Sequence, residues 1–289
     1  MLLLERAPAK INLTLHVLRR RDDGFHDLES LVAFTCFGDV LSLEPGAATG
    51  LTVEGPRAGA TGPNEDNLVL KAARNLQTHA PECKAGAFHL FKSLPAAAGI
   101  GGGSSDAAAA LRLLARAAKI ETSDPRVRTA AAATGSDVPV CLERRAQMMR
   151  GRGDTLGPAL AMPPLYAVLV NPGVALETKA VFAEMGLRPG EDPGFGQHPE
   201  ITSALSFEAL IPLLRRARND MEDAASVLAP VIGHVLAVLA AARGCKLARM
   251  SGSGATCFGL FGTRTAASKA ARVIHRDHPD WWTKACVLR

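Results

Sequence analysis

Hydrophobic and polar positions alternate along residues 7–18, placing Ile11, Leu13, Leu15 and Val17 on one side and Lys10, Asn12, Thr14 and His16 on the other. A period of two predicts a strand with one buried face. Lys10 and Asn12 are then neighbours about 7 Å apart, from a rise of ~3.3 Å per residue. The plain reading of their face is the solvent side of an antiparallel strand. A turn at Asp22-Asp23-Gly24 leads to a second strand at residues 30–34, and the hairpin returns Phe25 and His26 toward the first strand. An aromatic ring beside an imidazole at a turn can hold a flat polar ring by stacking and hydrogen bonding, although a single histidine is more often structural.

The pattern then predicts short strands at 40–43 and 51–53, a Gly/Pro/Ala-rich loop at 55–66, and a helix at 67–79 with Leu68, Leu70, Ala72, Ala73 and Leu76 as its apolar positions. A strand at 88–94 is followed by a helix at 105–119, and a further helix spans 125–133. Residues 158–164 read as a linker, and the period shifts there. The expected domain boundary lies near residue 155, dividing 1–155 from 156–289. The second half predicts a strand at 166–171, a helix at 178–185, a loop at 186–201, and helices at 207–215, 220–228 and 230–243, the last stopped by Gly244. Strands at 246–250 and 255–261, a helix at 266–275 and a strand at 282–288 complete it. Helices flanking antiparallel strands make an α+β chain, and the last strand has the option of packing on the first domain.

Between the strand ending near residue 94 and the helix after 105 lies Pro95-Ala96-Ala97-Ala98-Gly99-Ile100-Gly101-Gly102-Gly103-Ser104-Ser105-Asp106. Glycines let a ligand approach the main chain, and a helix start presents unpaired N–H groups at the positive end of its dipole. Together they form an anion site, most often for phosphate. The competing reading is a flexible linker whose Ser104, Ser105 or Asp106 caps a helix. No Gly-Lys-Ser/Thr closes the stretch, and counting from Gly99 the sixth position is Ser104, so neither the P-loop nor the dinucleotide fingerprint fits. Two smaller turns stand out, Gly135-Ser136-Asp137-Val138-Pro139 and Ser251-Gly252-Ser253-Gly254. An aspartate in the first is ordinarily a turn former or cap.

Composition narrows the class. In 289 residues, hydrophobic content is 47% and charged content 21%, ordinary for a globular chain. Six scattered cysteines form no Cys-x-x-Cys pair, which argues against a zinc ribbon or disulfide framework and suits a reducing compartment. No signal peptide or membrane-spanning run is expected, so the location read from the sequence is cytoplasmic. A net charge of +5 permits an anionic substrate or nucleic acid. The arginine runs are short and lack interleaved aromatics, which disfavours nucleic acid.

The strand with Lys10, the glycine stretch and the turn at 251–255 occur in the order that resembles the small-molecule kinases of the galactokinase, homoserine kinase, mevalonate kinase and phosphomevalonate kinase superfamily. Pro8-Ala9-Lys10-Ile11-Asn12-Leu13, Asp23-Gly24-Phe25-His26 and the Asp137 turn are most similar to the branch acting on a cytidine-diphosphate sugar alcohol of the non-mevalonate isoprenoid route. The resemblance implies a two-domain fold, with a ribosomal-protein-like N-terminal β/α domain and a C-terminal α+β domain with an antiparallel sheet. It implies ATP along residues Pro95 to Ser105, with Mg²⁺, and transfer of the γ-phosphate to a 2-hydroxyl. Asp137 matches the general base and Lys10 the cation beside it, while Asn12 matches a substrate-orienting residue. Phe25 and His26 match the corner that recognises cytosine, and Phe182 its second aromatic. Ser105 is a candidate Mg²⁺ ligand, and no other metal site is expected. The expected state is a monomer or weak homodimer with no nucleic-acid or membrane partner. A sister kinase for mevalonate or homoserine is the neighbouring alternative, but its substrate has no base for the corner to hold. Departures from the family pattern are Ala97 in place of a glycine, Phe25 where tyrosine is frequent, and Ser253 where threonine is frequent.

Overall fold

The first strand is shorter than its alternation suggests, because the polar face finds partners of its own. In the computed structural model, which describes residues 1–60 and 66–289, β1 is Leu3–Asn12 and β2 is His16–Arg20. Between them, the N–H groups of Leu13 and Thr14 both reach the carbonyl of Leu31, at 2.8 and 3.4 Å. The Thr14 hydroxyl accepts from Leu31 N, and Ser30 Oγ donates to the Thr14 carbonyl. The expected solvent face is in fact closed: Lys10, Asn12, Thr14 and His16 are all buried. Each is paired to a polar partner, as burial of such groups requires.

The hairpin continues into β3 (His26–Pro45), a single strand that absorbs two of the expected ones. It is followed by β4 (Gly50–Glu54), a short 3₁₀ turn at Ala58–Ala60, α1 (Leu68–His79), β5 (Gly86–Phe91), α2 (Gly102–Ala118), α3 (Pro125–Thr134) and α4 (Val138–Glu143). Part of the loop expected at 55–66 lies outside the described residues. Next come β6 (Gln147–Gly151), β7 (Thr155–Ala159), β8 (Leu165–Asn171), α5 (Thr178–Glu184), α6 (Phe207–Arg216), α7 (Glu222–Leu228), α8 (Val231–Ala241), β9 (Cys245–Met250), β10 (Cys257–Phe261), α9 (Arg264–Asp277) and β11 (Trp282–Leu288). The sequence pattern missed α4, β6 and β7, and β7 takes the start of the expected linker.

The chain forms two compact units, each assembled from separated segments. The first comprises Met1–Lys10, Phe37–Ala96 and Gly101–Arg144. In it the second half of β3 pairs antiparallel with β5, Val40 opposite Phe91, and β4 adds in parallel on the other side of β5. Helices α1 to α4 pack on one another. Close helix packing follows from small residues: Ala107, Ala108, Ala109 and Ala110 of α2 are fully buried. Asn67 caps α1 by accepting from Val69 N, and Asp124 caps α3.

The second unit comprises Ile11–Cys36, Ala97–Ile100 and Arg145–Arg289. Its sheet runs β11–β8–β10–β9, all antiparallel, and Leu288 of β11 pairs with Thr35 of β3. The first half of β3 also carries β2 and β6. Helices α8 and α9 cover this sheet over a core that includes Val168, Val170, Val235, Leu239, Phe261 and Ile274. A partition by contact therefore differs from a single cut near 155. The 20-residue β3 belongs to both units, and β6 and β7 join the second because they build on β3 and on each other.

Candidate active site

Helix α2 begins inside the glycine run, three residues earlier than its apolar period suggests. Its N-cap is Gly101, at φ 60° and ψ 25°, and no side chain caps it. Ser104, Ser105 and Asp106, the expected capping alternatives, lie within the helix instead. The first turn consequently keeps N–H groups without a capping side chain, which is the state an anion site requires. Gly101 is needed for more than its left-handed backbone: a Cβ there would stand 3.2 Å from Lys10 Cε and 3.9 Å from Asp137 Oδ2.

Those two side chains meet. Lys10 Nζ donates to Asp137 Oδ2 at 2.7 Å, linking the end of β1 to the residue ahead of α4. Lys10 is almost fully buried, and the Asp137 side chain retains 31% exposure. Asp137 occupies the N-cap position of α4, yet its carboxylate makes no capping hydrogen bond. The ordinary role of an aspartate in such a turn is thus not the one adopted.

Ser105 does not suit the role of magnesium ligand. Its hydroxyl is buried and donates to the Pro8 carbonyl at 2.5 Å. Below the same helix start, Lys92 Nζ donates to Asp39 Oδ2 at 2.5 Å and to Asp106 Oδ2 at 2.6 Å. Asp39 Oδ1 in turn accepts from the N–H groups of Ser93 and Leu94, fixing the approach to the glycine stretch. Burial opposes the Lys92 charge, but Asp106 and Asp39 outweigh it and raise the lysine above its ordinary value. Burial and the adjacent Asp39 push the Asp106 carboxyl up.

In the second unit, Asn12 Nδ2 donates to Ser30 Oγ at 2.7 Å, while its buried Oδ1 has no hydrogen-bond partner among the described residues. A fixed amide with a free acceptor suits a hydroxyl donor. The first half of the glycine stretch, residues 97–100, belongs to this unit and rests on the turn at 251–254. Ser251 Oγ accepts from Asn12 N at 3.1 Å and donates to the Gly99 carbonyl at 3.0 Å, and Thr256 N donates to the Ala98 carbonyl. Ala97, where the family pattern has glycine, takes φ 47°, a left-handed backbone that a non-glycine residue enters at a cost of roughly 1–2 kcal/mol.

His26 pairs with Arg20 across the hairpin, and its ring stacks on Phe182 with centroids 4.0 Å apart and planes 6° from parallel. Phe25 is 53% exposed, and the Arg152 guanidinium lies 4.5 Å from its ring centroid. The structure thus brings His26 and Phe182 together and gives Phe25 a cationic neighbour that the sequence reading missed. Burial, with Arg20 nearby, lowers the His26 pKa, so the imidazole is neutral near pH 7. Its Nε2 is buried without a partner among the described residues. No group of three or more His, Cys, Asp or Glu among the described residues is arranged to hold a metal, and no described helix is long and apolar enough to cross a membrane.

The glycine-rich helix start and the lysine–aspartate pair lie together in the first unit, and the class that holds this chain is that of the small-molecule kinases. The family models for the GHMP kinases match accordingly, the N-terminal domain over residues 67–144 and the C-terminal region over 202–280. The chain is 56% identical over 289 residues to the 4-diphosphocytidyl-2-C-methyl-D-erythritol kinase of Methylobacterium radiotolerans, covering 100% of this chain and 99% of that protein. A crystal structure of 4-(cytidine 5'-diphospho)-2C-methyl-D-erythritol kinase superimposes with a TM-score of 0.77 at 33% identity, over 99% of both chains. Homoserine kinase from Cytophaga hutchinsonii shares the fold, with a TM-score of 0.70 at 20% identity over 100% of this chain and 94% of that one. The chain belongs to the 4-diphosphocytidyl-2-C-methyl-D-erythritol kinase family of the GHMP kinases.

Proposed function

We infer that the chain transfers the γ-phosphate of ATP to the 2-hydroxyl of 4-diphosphocytidyl-2-C-methyl-D-erythritol, on the non-mevalonate route to isoprenoid precursors. The observation that carries the mechanism is the Lys10–Asp137 contact beside the uncapped start of α2. Phosphoryl transfer depends chiefly on positioning and charge neutralisation. Residues 95–105 bind the triphosphate through main-chain N–H groups and the α2 dipole. Asp137 takes the proton of the attacking hydroxyl, and Lys10 beside it stabilises the developing alkoxide. Asn12 Oδ1 orients the acceptor, and Phe25, His26 and Phe182 hold the cytosine.

Magnesium fits as an ion carried by the nucleotide. Such an ion would keep waters and phosphate oxygens as most of its ligands, and the partly exposed Asp137 carboxylate is a protein oxygen that would help hold it. When bound it supplies neutralisation of phosphate charge.

The test is ADP release from ATP and Mg²⁺ with 4-diphosphocytidyl-2-C-methyl-D-erythritol, beside mevalonate and homoserine. Release with the cytidine compound alone is the expected result. Release with another alcohol instead would discard the cytosine corner while retaining the Asp137 chemistry.

A further inference from the structure

Asn219 stands between α6 and α7, far in sequence from the glycine stretch and the 251–254 turn, and is 7% exposed. Both N–H groups of its amide and the amide oxygen are engaged. Nδ2 donates to the carbonyls of Met250 and Gly252, at 2.9 and 2.8 Å, and Oδ1 accepts from Met221 N at 3.0 Å. Its backbone is fixed as well, bridged to Leu15 just beyond Asn12. Glu222 adds a second hold by accepting from Met250 N at 2.7 Å.

The two carbonyls that Asn219 grips bracket Ser251, the residue bonded to both Asn12 N and the Gly99 carbonyl. The contact between the two glycine turns leaves no slack. A Cβ on Gly252 would stand 2.8 Å from Gly99 O and 3.3 Å from Asn12 Oδ1. One on Gly99 would stand 2.4 Å from Ser251 O and 2.6 Å from Gly254 O. A shift of the 251–254 turn therefore cannot be absorbed by a side chain and passes directly to the backbone at 97–100. An asparagine amide is suited to the task, because it offers two donors to two carbonyls and one acceptor to an N–H in a single rigid plane.

We propose that Asn219 is a positioning residue for nucleotide binding: it clamps the Ser251–Gly254 turn and thereby sets the backbone of residues 97–100. This rests on the reading of residues 95–105 as the nucleotide loop, and it does not depend on which alcohol is phosphorylated.

Asn219→Asp keeps the size and the Met221 acceptor but turns a carboxylate oxygen toward two carbonyls. Binding of a non-hydrolysable ATP analogue to the full chain, measured by calorimetry, is expected to weaken about tenfold, the cost of leaving buried carbonyls unpaired. KM for ATP should rise in parallel while KM for the cytidine substrate stays within about twofold. A merely structural role would lower the active fraction, and so kcat, with both KM values unmoved. Should Asn219→Asp not yield folded protein, Asn219→Ser removes the grip on the Met250 and Gly252 carbonyls without adding a charge, and the same split is expected. Unchanged analogue affinity in a folded variant overturns the proposal alone. Absence of binding in the unsubstituted chain overturns the loop reading with it.

Discussion

Two lysines in the first unit face carboxylates, and they do different work. Lys10 has one partner, Asp137, whose side chain is 31% exposed. Lys92 has two, Asp39 and Asp106, and all three side chains are 4% exposed or less. In the first pair the carboxylate is partly open to a ligand, and Lys10 meets it at Oδ2. In the buried triad the charges are committed to one another, and the same functional groups serve as a rivet between β5, β3 and the start of α2. Chemistry is set here by exposure and stoichiometry rather than by residue type.

Removing each ammonium should separate the two roles. Lys92→Met strands two buried carboxylates, and such a loss typically costs about 3–5 kcal/mol, to be read from urea unfolding. Lys10→Met should change stability by no more than about 1 kcal/mol, since its partner is partly solvated. Its turnover should nonetheless fall on the order of 100-fold, through loss of charge stabilisation. Equal destabilisation by both substitutions would erase the distinction.

A smaller effect is expected where recognition needs no charge. His26→Ala removes a neutral ring stacked on Phe182, and KM for the cytidine substrate should rise about tenfold with KM for ATP unmoved. Equal changes in both would count against a cytosine corner.

The buried triad also carries a pH dependence of its own. The folded-state pKa of Asp106 is raised, to about 7, above its ordinary value of 3.8. The folded chain therefore holds a proton there that the unfolded chain releases. That contribution to stability is full below the ordinary carboxylate range and is lost as pH rises through about 7. Asp106→Asn keeps an oxygen for Lys92 and should flatten the stability–pH curve over this interval. A curve of unchanged slope would remove Asp106 as its source.

Local signals carried far in this chain. Alternation located β1, and the apolar period located α1, α3 and most of the second unit's helices. The α+β class followed from their order. The glycine stretch was legible because glycine, serine and a following alanine run have few other uses together. What escaped was non-local. Nothing in the alternation of Lys10, Asn12, Thr14 and His16 tells that their face is closed, because the groups covering it come from distant parts of the chain, including Asp137 and Arg218. Helix α4 is short and begins Val138-Pro139, so it carries almost no period. The Asn219 amide serves carbonyls 31 and 33 positions away, and a lone asparagine before an aspartate reads as a turn. Phe182 was placed by resemblance alone, and its stacking with His26 depends on pairing in the second unit.

The central claim is that the partly exposed Asp137, paired with Lys10, performs the proton transfer. It is tested most directly by Asp137→Asn, with turnover and ATP affinity measured on the same protein. The account predicts that kcat falls by roughly 10²–10⁴-fold, the usual worth of a positioned base, while ATP still binds and the fold is unchanged. Full turnover in that variant would contradict it.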